Sequence, residues 1–155
     1  MKKKDKIPGQ VNILLADDDE DDCFLFKEAL KELPLSVNMT EVHNGEQLIQ
    51  LLTSTTVKLP HILFLDLNMP RKNGFDCLSE IKSNKKLKNI PVVIFSTWFE
   101  EDIANQLYKS DTDFYIRKPT KFSELKEVIH QTIMQLSKHI FQQHPEDLSD
   151  QGHIH

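Results

Sequence analysis

Cysteine is scarce in this chain: there are two, Cys23 and Cys77, and no CxxC pair. Two isolated thiols make neither a disulfide framework nor a zinc module, and they point to a reducing compartment. No apolar run approaches the roughly 18 residues of a membrane span. Basic charge is missing from most of the sequence. The first six residues, MKKKDK, carry a local +3, whereas the net charge is −5, so the remainder stands near −8. A body that acidic lacks the clustered Lys and Arg that bind nucleic acid or an anionic membrane surface. The start is also no signal peptide, because Pro8, Gly9, Gln10 and Asn12 interrupt the stretch that would have to be apolar. Internal repeats are absent. A soluble, cytoplasmic protein is expected.

The 155 residues, 39% hydrophobic and 28% charged, suit one compact domain with its own core. Residues 1–10 read as a flexible basic lead, 11–140 as the folded unit and 141–155 as a polar tail. Within the unit, short apolar runs alternate with helical patterns. Val11 to Ala16, Ile62 to Leu65, Val92 to Phe95 and Phe114 to Arg117 read as strands, and the alternation Leu35, Val37, Met39 as a further one. Cys23, Phe26, Leu30 and Leu33 recur at helical spacing, and Pro34 stops that helix. Asn44-Gly45 reads as a turn before a second helix with Leu48, Ile49, Leu51 and Leu52. A third helix runs over Phe75 to Lys82, a fourth has the face Ile103, Ala104, Leu107, Tyr108, and a long fifth carries Phe122, Leu125, Ile129, Ile133, Leu136 and Ile140. This alternation predicts an α/β protein with a doubly wound, five-stranded parallel sheet.

In such sheets, sites form beyond the carboxyl ends of the strands. The residues there are Asp17 and Asp18, Asp66, Ser96 and Thr97, and Lys118. Successive separations of 48, 30 and 22 residues from Asp18 to Asp66, Ser96 and Lys118 fit one or two crossovers each. Clustered carboxylates repel unless something neutralises them, and a hard cation with oxygen ligands such as Mg²⁺ does so. A cation, a lysine, a hydroxyl and a spare carboxylate together suit a phosphoryl group: positive charge offsets its oxygens and a carboxylate oxygen attacks in line.

Four segments carry a resemblance: the acidic cluster LLADDDEDD, LFLDLNMPRKNG, VVIFST and FYIRKPT. In this order and at strand ends, over roughly Val11 to Ser137, they resemble the receiver domain of two-component response regulators, of the phytochrome and chemotaxis types. The resemblance implies a flavodoxin-like sheet of order 2-1-3-4-5. It implies that Asp66 is the phosphoacceptor. Mg²⁺, or Mn²⁺ in its place, is bound by the carboxylates of Asp18 and Asp66, the Asn68 carbonyl and, mainly through water, Asp17. Ser96 and the Thr97 amide contact the phosphoryl group, Lys118 pairs with Asp66 and then with that group, and Tyr115 is a rotating switch residue. The Lys118-Pro119 bond is expected to be cis. The donor is a histidine kinase or a histidine phosphotransfer protein, docking near Phe24, Leu25, Pro119 and Thr120. With no output domain in the sequence, output passes to an unknown downstream protein through the face of the fourth helix, fifth strand and fifth helix. A homodimer through that face, with Arg117, Asp113 and Glu101 as charged contacts, stays open. Nucleic acid and membrane are not expected as partners, nor is enzymatic activity beyond the domain's own phosphorylation and dephosphorylation.

Plainer readings stand beside these. Asp21 and Asp22 read as capping and solvated surface, and Asp19 as either a site residue or a cap. Tyr115 is also readable as a half-buried aromatic. Trp98 either shields the acyl phosphate from water or meets a partner. The late histidines His130, His139, His144, His153 and His155 sit in or near a tail that does not preorganise metal ligands. Two other functions compete. Asp17-x-Asp19 superficially matches the nucleophile motif of haloacid dehalogenase-like phosphohydrolases, without the Gly-Thr that should follow. A scaffold that works without phosphorylation would keep the fold but has no need of the intact Asp18, Asp66, Ser96 and Lys118.

Overall fold

The computed structural model describes residues 9–97 and 114–143. Its elements are β1 (Val11–Ala16), α1 (Glu20–Lys31), β2 (Val37–Val42), α2 (Gly45–Thr53), β3 (Ile62–Leu65), α3 (Gly74–Ser83), β4 (Val92–Ser96), β5 (Phe114–Arg117) and α4 (Phe122–Gln143). The helix expected around Ile103 to Tyr108, Trp98, the lead to Pro8 and the tail from His144 lie outside the described residues. All strand pairs are parallel and the order is β2-β1-β3-β4-β5. This is the expected doubly wound sheet. The order reverses between β1 and β3, where such folds open a crevice.

The three central strands read as apolar runs, interrupted only by Asn12 near the start of β1 and Ser96 at the end of β4, because both of their faces are covered. Ile13 and Leu15, Ile62 and Phe64, and Val93 and Phe95 enter one core, beneath α1 and α4. Leu14 and Ala16, Leu63 and Leu65, and Val92 and Ile94 enter the other, beneath α2 and α3. In the first core Phe26, Phe64 and Phe95 meet edge to face, with centroids 4.9, 5.6 and 6.1 Å apart. β2 lies at the edge, so Val37 and Met39 are half-buried while Asn38 and Thr40 face out.

Three helices begin with Asx caps at the edge where the strands end. Asp19 accepts from the Asp22 amide, Asn44 from the Gln47 amide and Asn73 from the Asp76 amide. Asn44-Gly45 is therefore a cap and first helical residue rather than a separate turn. Gly74 is needed for space: a Cβ there would sit 2.5 Å from the Leu67 Cα and 2.6 Å from the Asp66 carbonyl oxygen. Its amide donates to the Leu67 carbonyl at 2.9 Å, which presses the start of α3 onto the loop after Asp66. Arg71, in that loop, adopts a left-handed φ of 68°. Among the described residues no helix is long and apolar enough to cross a membrane.

Candidate functional site

The sheet's hydrogen bonding continues one residue past its strands, and this fixes the polar residues. The Asp17 amide donates to the Val42 carbonyl at 3.0 Å, that of Asp66 to Ala16 at 2.9 Å, and that of Lys118 to Ser96 at 2.9 Å. Asp17 and Asp66 are thus register neighbours, and Lys118 stands two residues further along β5 than their row, at the same parity. Asp17, Asp66 and Ser96 are buried, while Asp18, Asn68 and Thr97 are exposed. Asp17 Oδ1 accepts from the Asp19 amide at 3.0 Å, and Asp66 Oδ1 from the Asn68 amide at 3.2 Å.

Lys118 is the centre of the cluster. Its buried Nζ lies 2.6 Å from Asp17 Oδ2, 2.8 Å from Asp22 Oδ2 and 3.5 Å from Asp66 Oδ2. Burial alone would lower the pKa of this ammonium, but the hydrogen bonds to Asp17 and Asp22 and the charges of Asp17 and Asp66 outweigh it, and the net shift is upward. Burial pushes the Asp17 carboxyl up to about 6, with the Asp66 charge adding to the shift while Lys118 and the Asp19 amide oppose it. Oxygens of Asp17, Asp18 and Asp66 lie within 4.8 Å of one another. One lysine cannot neutralise these three and Asp22. Oxygen-only donors with an exposed member fit a hard divalent cation that retains water.

Two expectations change. Asp22 does not stay with the solvated surface: it is a direct partner of Lys118. A signal for this exists in sequence, because side chains in the first helical turn tilt back toward the helix N-terminus, here toward the site. No cis peptide bond occurs among the described residues, so Lys118-Pro119 departs from the expected form. Lys118 turns inward all the same, drawn by three carboxylates. Asp19 resolves as the cap of α1, its Oδ1 accepting from the Asp22 amide at 3.1 Å. Asp17-x-Asp19 is therefore no pair of site carboxylates, which disfavours the phosphohydrolase reading. Tyr115 is half-buried against the α2–α3 core, and this burial raises its phenol pKa.

The comparisons agree with this geometry. The family model described as response regulator receiver domain matches residues 13–130. The response regulator Rcp1 of Synechocystis is 31% identical over 121 residues, covering 76% of this chain and 82% of Rcp1. A probable methanogenesis regulatory protein, FilR2 of Methanothrix harundinacea, is 28% identical over 122 residues, covering 77% of this chain and 79% of FilR2. Among solved structures, the phosphorylated cyanobacterial phytochrome response regulator RcpA superposes with a TM-score of 0.76 at 30% identity, covering 83% of this chain and 94% of RcpA. The Mn²⁺-bound form of Rcp1 gives 0.73 at 29% identity, covering 79% of this chain and 91% of Rcp1. With the strand order and the family match in agreement, the chain belongs to the response regulator receiver domains of two-component signalling.

Proposed function

We propose that Asp66 is the phosphoacceptor of this receiver and that a histidine kinase or histidine phosphotransfer protein is the donor. An Asp66 carboxylate oxygen attacks the phosphorus of a phosphohistidine. The P–N bond breaks, the imidazole leaves with the electron pair and takes a proton, and an aspartyl phosphate remains. Asp17, Asp18, Asp66 and the Asn68 carbonyl would hold Mg²⁺ or Mn²⁺, which when bound supplies positive charge to the phosphoryl oxygens. Lys118 supplies a second positive charge, and Ser96 and the Thr97 amide donate hydrogen bonds to the same oxygens. The observation that carries this reading is the placing of Lys118 Nζ between Asp17 and Asp66, at 2.6 and 3.5 Å.

Ser96 and Tyr115 then respond to the new charge and bias an output face that includes β5 and α4. Residues 11–140 are the receiver unit, it acts in the cytoplasm, and its own phosphorylation chemistry is its only catalysis. Phe24 and Leu25 on the outer face of α1, 61% and 42% exposed, are apolar contacts for the donor beside Pro119 and Thr120.

The test is site-mapped phosphorylation. The protein is incubated with Mg²⁺ and acetyl phosphate, the acyl phosphate is trapped with borohydride, and the modified peptide is identified by mass. Label on Asp66, dependent on Mg²⁺ and absent from Asp66→Asn, is the expected result. Label on Asp17 would move the protein to the hydrolase class. No label at all would leave a phosphorylation-independent scaffold.

A further inference from the structure

A second group of ligating side chains lies beside the acidic site. It is assembled by the alternation of β2 and the first turn of α1. Val37 and Met39 point into the core beneath α1, and Glu41 follows them at the same parity. His43 comes two residues later, just past the strand, with its amide tied to Gln47 Oε1 at 2.7 Å. Cys23, buried in that same core, faces this end of the strand. The Cys23 sulfur, a Glu41 carboxylate oxygen and a His43 ring nitrogen all lie within 4.8 Å of one another. His43 Nε2 already meets Glu41 Oε2 at 2.8 Å, and Cys23 Sγ donates to the Asp17 carbonyl at 3.5 Å.

We propose that Cys23, Glu41 and His43 form a site for a borderline divalent cation of the Zn²⁺ class, separate from the carboxylate site around Asp66. One sulfur, one nitrogen and one oxygen donor form a set that zinc accepts and Mg²⁺ does not. Three protein ligands leave a fourth position for water. His43 also borders an open hollow with Asp18, Asp19, Glu20 and Asp21, which gives a cation an acidic approach from solvent. Tetrahedral coordination brings ligand atoms to within roughly 3–4 Å of one another, so the cluster must close slightly. The side chains of His43 and Glu41, 43% and 34% exposed, have room to do so.

The binding step balances without a redox partner. Burial and the nearby Asp17 and Glu41 carboxylates push the Cys23 thiol up to about 12, so the metal itself must displace its proton to solvent as the sulfur bonds it. His43 gives up the Nε2–H bond to Glu41, the ring proton passes through solvent to Nδ1, and the freed Nε2 lone pair bonds the metal. Thiolate and carboxylate together cancel the cation's two charges.

Co²⁺ is the probe, added to the full chain under reducing conditions with Mg²⁺ in excess to occupy the carboxylate site. The expected result is an intense near-ultraviolet thiolate-to-cobalt absorption that saturates at one equivalent and is displaced by Zn²⁺. Cys23 and Cys77 are the only thiols, so the band must belong to one of them. It is expected to vanish in Cys23→Ser and persist in Cys77→Ser. His43→Ala should weaken Co²⁺ binding by roughly tenfold or more. Histidines in the tail cannot produce a thiolate band. Absence of the band in the unmodified protein, its survival in Cys23→Ser, or unaltered affinity in His43→Ala would each overturn the proposal. Should Cys23→Ser fail to fold by circular dichroism, His43→Ala and Glu41→Gln, at half-exposed positions, decide the question.

Discussion

At the scale of single residues, the position of Lys118 is set by competition. Asp22 and Asp17 hold its Nζ at 2.8 and 2.6 Å, while Asp66 stands off at 3.5 Å. For Lys118 to serve a phosphoryl group on Asp66, part of that hold must be released. The Asp22 carboxylate is partly exposed, so its share is small, up to about 1 kcal/mol. Asp22→Asn is expected to leave thermal stability nearly unchanged while raising the steady-state fraction of phosphorylated Asp66 by up to roughly fivefold. Quantifying aspartyl phosphate against acetyl phosphate concentration measures this. A reduced fraction would mean that Asp22 delivers Lys118 to the site rather than restraining it. Lys118→Ala is the contrast, because it leaves buried Asp17 and Asp66 with no cationic side chain and is expected to abolish labelling.

At the scale of elements, the two edges of the sheet carry different duties, and mutations should separate them. Gly74 lies at the site edge, where an added Cβ would meet backbone at 2.5 and 2.6 Å. Neither neighbour is a flexible side chain, so Gly74→Ala has to move the loop that carries Asp66. We expect a loss of roughly 1–3 kcal/mol together with weaker Mg²⁺ binding. His61 lies at the opposite edge, buried, with Nδ1 accepting from the Asn12 amide at 2.8 Å. His61→Leu leaves that amide unsatisfied and should cost about 1–3 kcal/mol while leaving Mg²⁺ affinity unchanged. Urea denaturation and Mg²⁺ titration of both variants check the contrast, and equal losses of Mg²⁺ affinity would refute it. The same division shows what was legible in the sequence. β1, β3 and β4 announce themselves because burial on both faces demands apolar runs, and their ends point to Asp17, Asp66 and Ser96. The tie between Asp22 and Lys118 spans 96 residues, and that between Asn12 and His61 spans 49. Helix geometry tilts Asp22 toward the site, but local periodicity names neither its partner nor that of His61. The cluster of Cys23, Glu41 and His43 was hidden for the same reason, since a helix and an edge strand must pack before its members meet.

At the scale of the whole molecule, the site is a store of unfavourable charge that a cation relieves. Asp17 is buried, and mainly for that reason its carboxyl is pushed up to about 6, from 3.8. The folded pKa lies above the unfolded one, so the folded form binds the extra proton between those values. Stability contributed by this group is present at acid pH and lost as pH rises through about 6. Near neutral pH the ionised Asp17 therefore costs the metal-free fold on the order of 1–3 kcal/mol. Asp17→Asn keeps the shape and an oxygen for the Asp19 amide but removes the charge. Without divalent metal it is expected to be more stable than the unmodified protein at about pH 7.5, with the gap closing toward about pH 4.5. Mg²⁺ should raise the unmodified protein's stability more at the higher pH than at the lower, and should do less for Asp17→Asn, because there is less charge to relieve. Urea denaturation at several pH values, with and without Mg²⁺, measures each of these quantities. A gap that does not change with pH would mean that Lys118 already neutralises Asp17 fully, and that the drive to bind a cation comes from Asp18 and Asp66 alone.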